Sequence, residues 1–204
     1  MSDIASARLK KELQEMRSHP DFSENRFSID TVEDNLFHMK ATIAGPPDTP
    51  YFDGMFKVDL RMSKKYPFSP PKVRFLTRLW HPNVSSITGC ICLDILDNKW
   101  AAALTIRGVL LSLQSLLQDP EPSNPLDASV AYQYRNRHDL FFRTASYWTA
   151  IYASNDPMKR FEFPDFELAL ESLRDMLPHE SDESLISALS CHNWSVGEAC
   201  CSLT

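Results

Sequence analysis

Between residues 27 and 75 the apolar residues recur at every second position, and this alternation constrains the fold more than any other feature of the chain. Phe27 and Ile29 begin it, Phe37, Met39, Ala41 and Ile43 continue it, and Phe56, Val58, Leu60 and Met62, then Val73 and Phe75, complete it. A period of two puts all apolar side chains of an extended segment on one face, so four half-buried strands are predicted. The breaks between them are short and rich in turn residues: Glu33, Asp34 and Asn35, then Gly45 to Pro50, then Tyr66 to Pro71. Short connections join antiparallel neighbours, which predicts a meander.

The flanking segments read as helices. Residues 3–18 place Leu9, Leu13 and Met16 on one helical face with Ile4 near the start, Ser2 or Asp3 available as a cap, and Arg8, Lys11 and Glu15 turned outward. From Leu76 to about Thr105 no period holds, and a long irregular stretch inside a compact domain usually carries function. Helical spacing resumes at Ile106, capped by Thr105, with Val109, Leu110, Leu113, Leu116 and Leu117 predicting a buried central helix. The Pro-rich run from Asp119 to Pro125 ends it, Asp127 can cap a helix to about Arg137, and Leu140, Phe141, Trp148, Ile151 and Tyr152 mark another. A first domain of residues 1–154, a linker of 155–164 and a second domain of 165–204 follow. The second shows three short helical patterns separated by Pro178–His179 and His192–Asn193, a core of Leu173, Leu185, Leu189 and Trp194, and a capping box at Ser195 and Glu198.

The net charge of −6 over 204 residues is the wrong sign for a nucleic-acid surface, so no nucleic-acid partner is expected. The start of the chain lacks the basic and apolar pattern of a signal peptide, and no run approaches the ~18 apolar residues of a membrane span. No membrane association is expected, and the chain reads as cytoplasmic or nuclear. Five cysteines, at 90, 92, 191, 200 and 201, are odd in number and lack the paired spacing of a zinc site, which fits a reducing compartment and predicts no metal.

One cysteine has a claim to covalent chemistry. Cys92 closes the stretch Trp80-His81-Pro82-Asn83 … Gly89-Cys90-Ile91-Cys92-Leu93-Asp94, nine positions beyond Asn83. If the polar segment between them folds back, a thiol nucleophile faces a neutral amide donor suited to a developing oxyanion, which points to acyl transfer. His81, flanked by Pro82, is expected to hydrogen-bond the loop rather than titrate. A cysteine hydrolase would need a histidine base beside the thiol.

With the basic first helix, the meander, the Tyr66–Pro71 segment, the His81-Pro82-Asn83 triplet, Cys92-Leu93-Asp94, Trp100 and the Pro-rich segment after Asp119, residues 4 to about 153 resemble ubiquitin-conjugating enzymes. The last 40 residues resemble a ubiquitin-associated domain, a pairing found in chain-building members of that family. The resemblance implies an α/β (α+β) fold in which the four-stranded antiparallel sheet packs on the central helix, followed by a three-helix bundle. It implies a transferase. Ubiquitin arrives from an activating enzyme by transthiolation onto Cys92, and a lysine of a protein substrate or of ubiquitin then attacks it to form an isopeptide bond. ATP is used by the activating enzyme, so no cofactor is expected. Asn83 would serve the lysine step as oxyanion donor or loop brace. Where the family places an aspartate before the proline matched by Pro125, this chain has Asn124, and Asp127 stands as its alternative acid or as a helix cap. Arg8, Lys11, Phe68, Ala102 and Ala103 match the docking surface for the activating enzyme and for RING-type or other ligases. Met176, Leu177 and Leu203 are the candidate ubiquitin contacts of the second domain, and Cys90 reads as a small apolar filler. A conjugating enzyme for another ubiquitin-like modifier, or a weakly active ubiquitin-binding relative, shares the same motifs.

Overall fold

The computed structural model describes residues 2–23 and 27–204, and at Ser2, Asp3, Asp21 and Ser23 the backbone alone; the cap expected at Ser2 or Asp3 therefore lies outside the described side chains. Helix α1 (Ser2–Arg17) and a single turn α2 (Pro20–Ser23) precede strands β1 (Phe27–Val32), β2 (Asn35–Ala44), β3 (Met55–Arg61) and β4 (Lys72–Phe75). The four strands pair antiparallel in sequence order, as the alternation predicted. The register sets Ile29 opposite Ala41, Ala41 opposite Val58 and Val58 opposite Phe75, a buried apolar row running across the whole sheet. Side chains two apart share a face, so Phe27, Met39, Ile43, Phe56 and Leu60 are buried on the same side.

Helix α3 (Ile106–Gln118) supplies the other half of this core. Thr105 caps it, its hydroxyl accepting from Gly108 N at 3.1 Å, and Ile106, Val109, Leu110, Leu113, Leu116 and Leu117 are all buried. Helices α4 (Ala128–Asn136) and α5 (His138–Trp148) follow, and the latter runs on through one wider turn at Thr149–Ala153. Among the described residues no helix is long and apolar enough to cross a membrane.

Two expectations change at α1. The buried stripe is Ala5, Leu9, Leu13 and Met16, whereas Ile4, one residue off it, is 56% exposed. The stripe also contains a carboxylate that the apolar pattern hid: Glu12 is 3% exposed. Its Oε1 accepts from Arg8 Nε at 2.5 Å and from Tyr66 OH at 2.8 Å, and its Oε2 accepts from Ile106 N at 2.7 Å. One buried charge thereby holds α1, the Tyr66–Pro71 segment and the first turn of α3 together.

The last 40 residues form three helices, α6 (Pro164–Met176), α7 (Asp182–Cys191) and α8 (Val196–Leu203). Ser181 and Ser195 cap the second and third, accepting from Ser184 N and Glu198 N. Leu173, Leu185 and Leu189 are buried as expected. Trp194 is not part of a self-contained core: it is half-buried, stacks on Phe166 at 3.8 Å, meets Tyr147 of α5 edge-on at 5.2 Å, and donates Nε1–H to Thr144 Oγ1 at 2.9 Å. An indole N–H needs a partner, and this one finds it on α5. The expected linker is ordered as well, since Asp156 caps a 3₁₀ turn at Pro157–Glu162 and Lys159 pairs with Asp53 at 2.6 Å. The bundle therefore lies against α4 and α5.

Glu12→Ala leaves the Ile106 N–H, the Tyr66 hydroxyl and the Arg8 guanidinium without their acceptor. Such losses cost roughly 1–3 kcal/mol per orphaned group. The expected outcome is a destabilisation of about 3 kcal/mol in chemical denaturation, with Glu12→Gln losing less because an amide oxygen still accepts.

Candidate active site

The irregular segment after β4 folds back on itself, and a glycine permits it. Gly89 has φ +70°, and a Cβ there would stand 2.0 Å from Phe75 O, so no other residue fits this turn. Gly89 O accepts from Phe75 N at 2.9 Å, Val84 bridges Ile91, and Cys92 N donates to Asn83 O at 2.9 Å. The thiol is thus pinned through its own backbone to the His81-Pro82-Asn83 turn, and Cys92 is half-exposed at the rim.

The Asn83 side chain does not face the sulfur. It is buried, donating through Nδ2 to Glu121 O at 2.7 Å and to Asn124 O at 3.1 Å, while its Oδ1 accepts from Glu121 N at 2.8 Å. Both of its donors are used, so direct oxyanion donation would require breaking a bond in a buried site. The amide instead braces the segment 121–124. Pro82 O reinforces the join, accepting from Leu126 N at 2.8 Å and Asp127 N at 3.2 Å. What this bracing places beside Cys92 is Asn124, whose Nδ2 lies 3.5 Å from Cys92 Sγ, an ordinary length for an N–H to sulfur contact. The neutral amide anticipated beside the thiol at Asn83 stands instead at Asn124.

His81 is fully buried and committed to the loop. Its Nδ1 accepts from Asn83 N at 3.0 Å, which puts the ring proton on Nε2, where it donates to Leu116 O of α3 at 2.9 Å. Burial lowers its pKa to about 4. Asp127 likewise is spent on structure: Oδ1 accepts from Val130 N at 3.3 Å as the cap of α4, and Oδ2 accepts from Ser86 Oγ at 2.7 Å. The contacts carry the cap reading of Asp127, not that of a second acid. Cys90 is exposed, so the filler reading fails. Asp94 and Lys99 pair at 2.6 Å on the exposed surface beside the loop.

The candidate docking residues lie on segments joined by contacts, α1, the Phe68 segment and the Ala102–Ala103 loop. Phe68 is 74% exposed, and with Ile4, Lys64, Lys65, Tyr66 and Ser69 it lines a hollow of about 330 Å³. Trp100 Nε1 donates to Pro67 O at 2.7 Å, which ties the Phe68 segment to the loop bearing half-buried Ala102 and exposed Ala103. Arg8 Nη2 reaches Leu104 O at 3.3 Å, and Lys11 is free on the helix surface apart from a loose pair with Glu15 at 3.7 Å. Ile4 was missed by periodicity, although its offset from the Ala5–Leu9–Leu13 stripe was visible. In the bundle, Met176 is exposed and Leu177 half-buried at the α6–α7 turn, whereas Leu203 lines a different groove with Arg78, Ile87 and Cys191.

Fold and site together define a class: an acyl transferase with a rim-exposed cysteine, a neutral amide beside it, and its neighbouring histidine locked into the framework. The profile of the ubiquitin-conjugating enzymes matches residues 8–149. A Drosophila melanogaster ubiquitin-conjugating enzyme E2-22 kDa is 45% identical over 199 residues, covering 98% of this chain and 97% of the fly protein. The Homo sapiens ubiquitin-conjugating enzyme E2 K is 44% identical over the same length, covering 98% and 96%. Among solved structures, the E2 domain of a Toxoplasma gondii ubiquitin conjugating enzyme superposes with a TM-score of 0.67 at 45% identity, covering 73% of this chain and 99% of that one. The chain belongs to the ubiquitin-conjugating enzymes, transferases that work through a cysteine thioester.

The buried His81 has a pH consequence. Its folded pKa of about 4 lies below the unfolded 6.5, so between these values the unfolded chain binds the extra proton, and stability falls as pH drops through that window. The expected contribution is about 2 kcal/mol lost between pH 7 and pH 5. Denaturation curves of the native chain and His81→Gln at both pH values check it, the variant showing a smaller pH dependence.

Proposed function

We propose that Cys92 is the residue that carries ubiquitin as a thioester and that residues 1–154 are the catalytic core, with 155–164 a connecting turn and 165–204 a ubiquitin-associated-like bundle. The observation that carries the assignment is the placement of Cys92 Sγ at the rim of a braced loop with the Asn124 amide at 3.5 Å. Transthiolation exchanges one thioester for another of similar energy and needs no dedicated base. The thiol of Cys92 gives its proton to solvent, and its sulfur attacks the carbonyl of the thioester on the activating enzyme, forming the new C–S bond as the old one breaks. The activating enzyme's thiolate leaves and takes up a proton from solvent, and the Asn124 N–H beside the sulfur is the neutral donor at hand for the developing oxyanion.

The second half-reaction is more demanding. At a lysine pKa of ~10.4 about one amine in a thousand is neutral near pH 7.4. A carboxylate before the proline would help accept the proton that leaves as the isopeptide bond forms. Asn124 stabilises charge on oxygen or sulfur but takes no proton, so this chain favours loading over unassisted discharge. Arg8, Lys11, Phe68, Ala102 and Ala103, joined by Ile4, form the surface offered to the activating enzyme and to RING-type or other ligases, and protein lysines are the acceptors. In the bundle, Met176, Leu177 and Leu203 are the residues offered to ubiquitin, with exposed Met176 as the anchor. ATP serves the activating enzyme, and no group on this chain requires a cofactor for the transfer.

Incubation with ATP, an activating enzyme and ubiquitin is expected to give a thiol-labile adduct on nonreducing gels that Cys92→Ala abolishes. An adduct formed with another ubiquitin-like modifier but not with ubiquitin would reassign the substrate. Starting from pre-charged enzyme, Asn124→Asp is expected to speed discharge to free lysine on the order of tenfold. An unchanged rate at pH 7 would show that the missing carboxylate does not limit the step.

A further inference from the structure

The C-terminal bundle reaches the catalytic loop through one buried amide. Gln133 on α4 is 1% exposed, and its Oε1 accepts from Trp80 Nε1 at 2.9 Å. On its other side Nε2 donates to Ser190 O at 2.7 Å and Asn193 Oδ1 at 3.3 Å, both in the bundle. Trp80 is the residue immediately before His81-Pro82-Asn83, and its carbonyl is held by Tyr51 OH at 2.8 Å. Ser190, itself fully buried, also receives Trp148 Nε1 on its Oγ at 2.9 Å, and the Trp80 and Trp148 rings pack 5.2 Å apart. Two indoles of the catalytic core thus end on a single serine of the bundle, one directly and one through Gln133.

The bundle presents these acceptors by means of an unusual turn. Asn193 and Trp194 take φ of +52° and +65°, and a bulky residue in the left-handed region persists only where its surroundings over-determine it. The turn swings Asn193 Oδ1 onto Gln133 and sends Trp194 against Phe166 and Thr144. The direct stabilisation of a ubiquitin-binding patch needs none of this.

We infer that Gln133 is a positioning residue for the lysine-transfer step, through which the docked bundle holds Trp80 and hence the His81–Asn83 turn that braces Asn124 against Cys92. The inference rests on the reading of Cys92 as the thioester carrier. A neutral amide suits this relay because it alone among common side chains accepts from an indole and donates to two acceptors at once. Loosening the bundle frees one end of the relay, and the cost falls on catalytic geometry rather than on lysine binding.

The test uses the full chain pre-charged with ubiquitin and follows single-turnover discharge to free lysine. Gln133→Met, which is close in volume and breaks both ends of the relay, and Trp194→Ala, which removes the bundle's edge-on contact with Tyr147 and its hydrogen bond to Thr144 of α5, are each expected to lower the rate at saturating lysine by about two- to tenfold, leaving the lysine concentration at half-maximal rate unchanged. Combined, they are expected to slow discharge no further than Gln133→Met alone. If Gln133→Met does not fold, Gln133→Glu replaces it, keeping the acceptor for Trp80 while removing the donors to the bundle. Native rates in either single variant, equal additional slowing in the double variant, or an effect confined to the half-saturating concentration would overturn the inference. Failure of the native chain to form a thiol-labile adduct on Cys92 would instead overturn the reading of the site itself.

Discussion

The three hydrogen bonds of the Asn83 side chain tie two largely irregular segments, and the active-site geometry depends on them. Apart from one 3₁₀ turn and a few isolated bridges, residues 76–105 and 119–127 lack helix and sheet ladders, so turn backbone bonds and side chains share the pairing of their backbone groups. Asn83 takes both the N–H and the carbonyl of Glu121 and adds the carbonyl of Asn124. His81 then ties the same turn to Leu116 on α3 and to its own neighbour's N–H. The result is a cysteine and an amide held on separate segments at a fixed separation, anchored to the central helix α3.

What the Asn83 amide would give up weighs against a direct role for it. Its bonds are buried, and leaving Glu121 N–H or either carbonyl unpaired would cost roughly 1–3 kcal/mol, comparable to what a single oxyanion donor returns. Asn124 faces no such conflict at the half-exposed thiol. Its amide nitrogen makes the sulfur contact, while its backbone carbonyl makes the brace. At position 124 the side chain and the backbone thus do separate work, the amide against the sulfur and the carbonyl in the brace.

Much of this was legible in the sequence, and the misses have physical reasons. The sheet, its order and the central helix follow from periodicity because one buried face imposes it on every strand. The fold-back at Cys92 was legible from Gly89 and the polar run before it. Glu12 was not, because a charged residue on an apolar stripe reads as solvent-facing until its partners Arg8, Tyr66 and Ile106, up to 94 positions away, come together. The target of the Asn83 amide was equally hidden: an Asn near a Cys in sequence says nothing of carbonyls 38 and 41 residues downstream that compete for it. Trp194 read as core of the second domain, and it does stack on Phe166 there, but its N–H had to end somewhere and its partner Thr144 lies on α5.

That last miss changes how the two parts of the chain relate. A tethered module needs only solvent-compatible surfaces, yet α7 buries Ser190 completely and offers both its carbonyl and its hydroxyl to groups of the catalytic core. Buried polar contacts of this kind are unforgiving, because an unmatched partner costs more than the matched bond returns. They also fix a register that apolar contact alone leaves loose. The polar joint at Ser190 and Gln133, flanked by the Arg143–Asp165 and Arg78–Glu183 pairs at 2.7 Å, selects one orientation of the bundle. The exposed ion pairs add little energy to that selection. It is the buried amide, reaching Trp80 on one side and the bundle on the other, that makes the C-terminal helices part of the framework behind the catalytic turn.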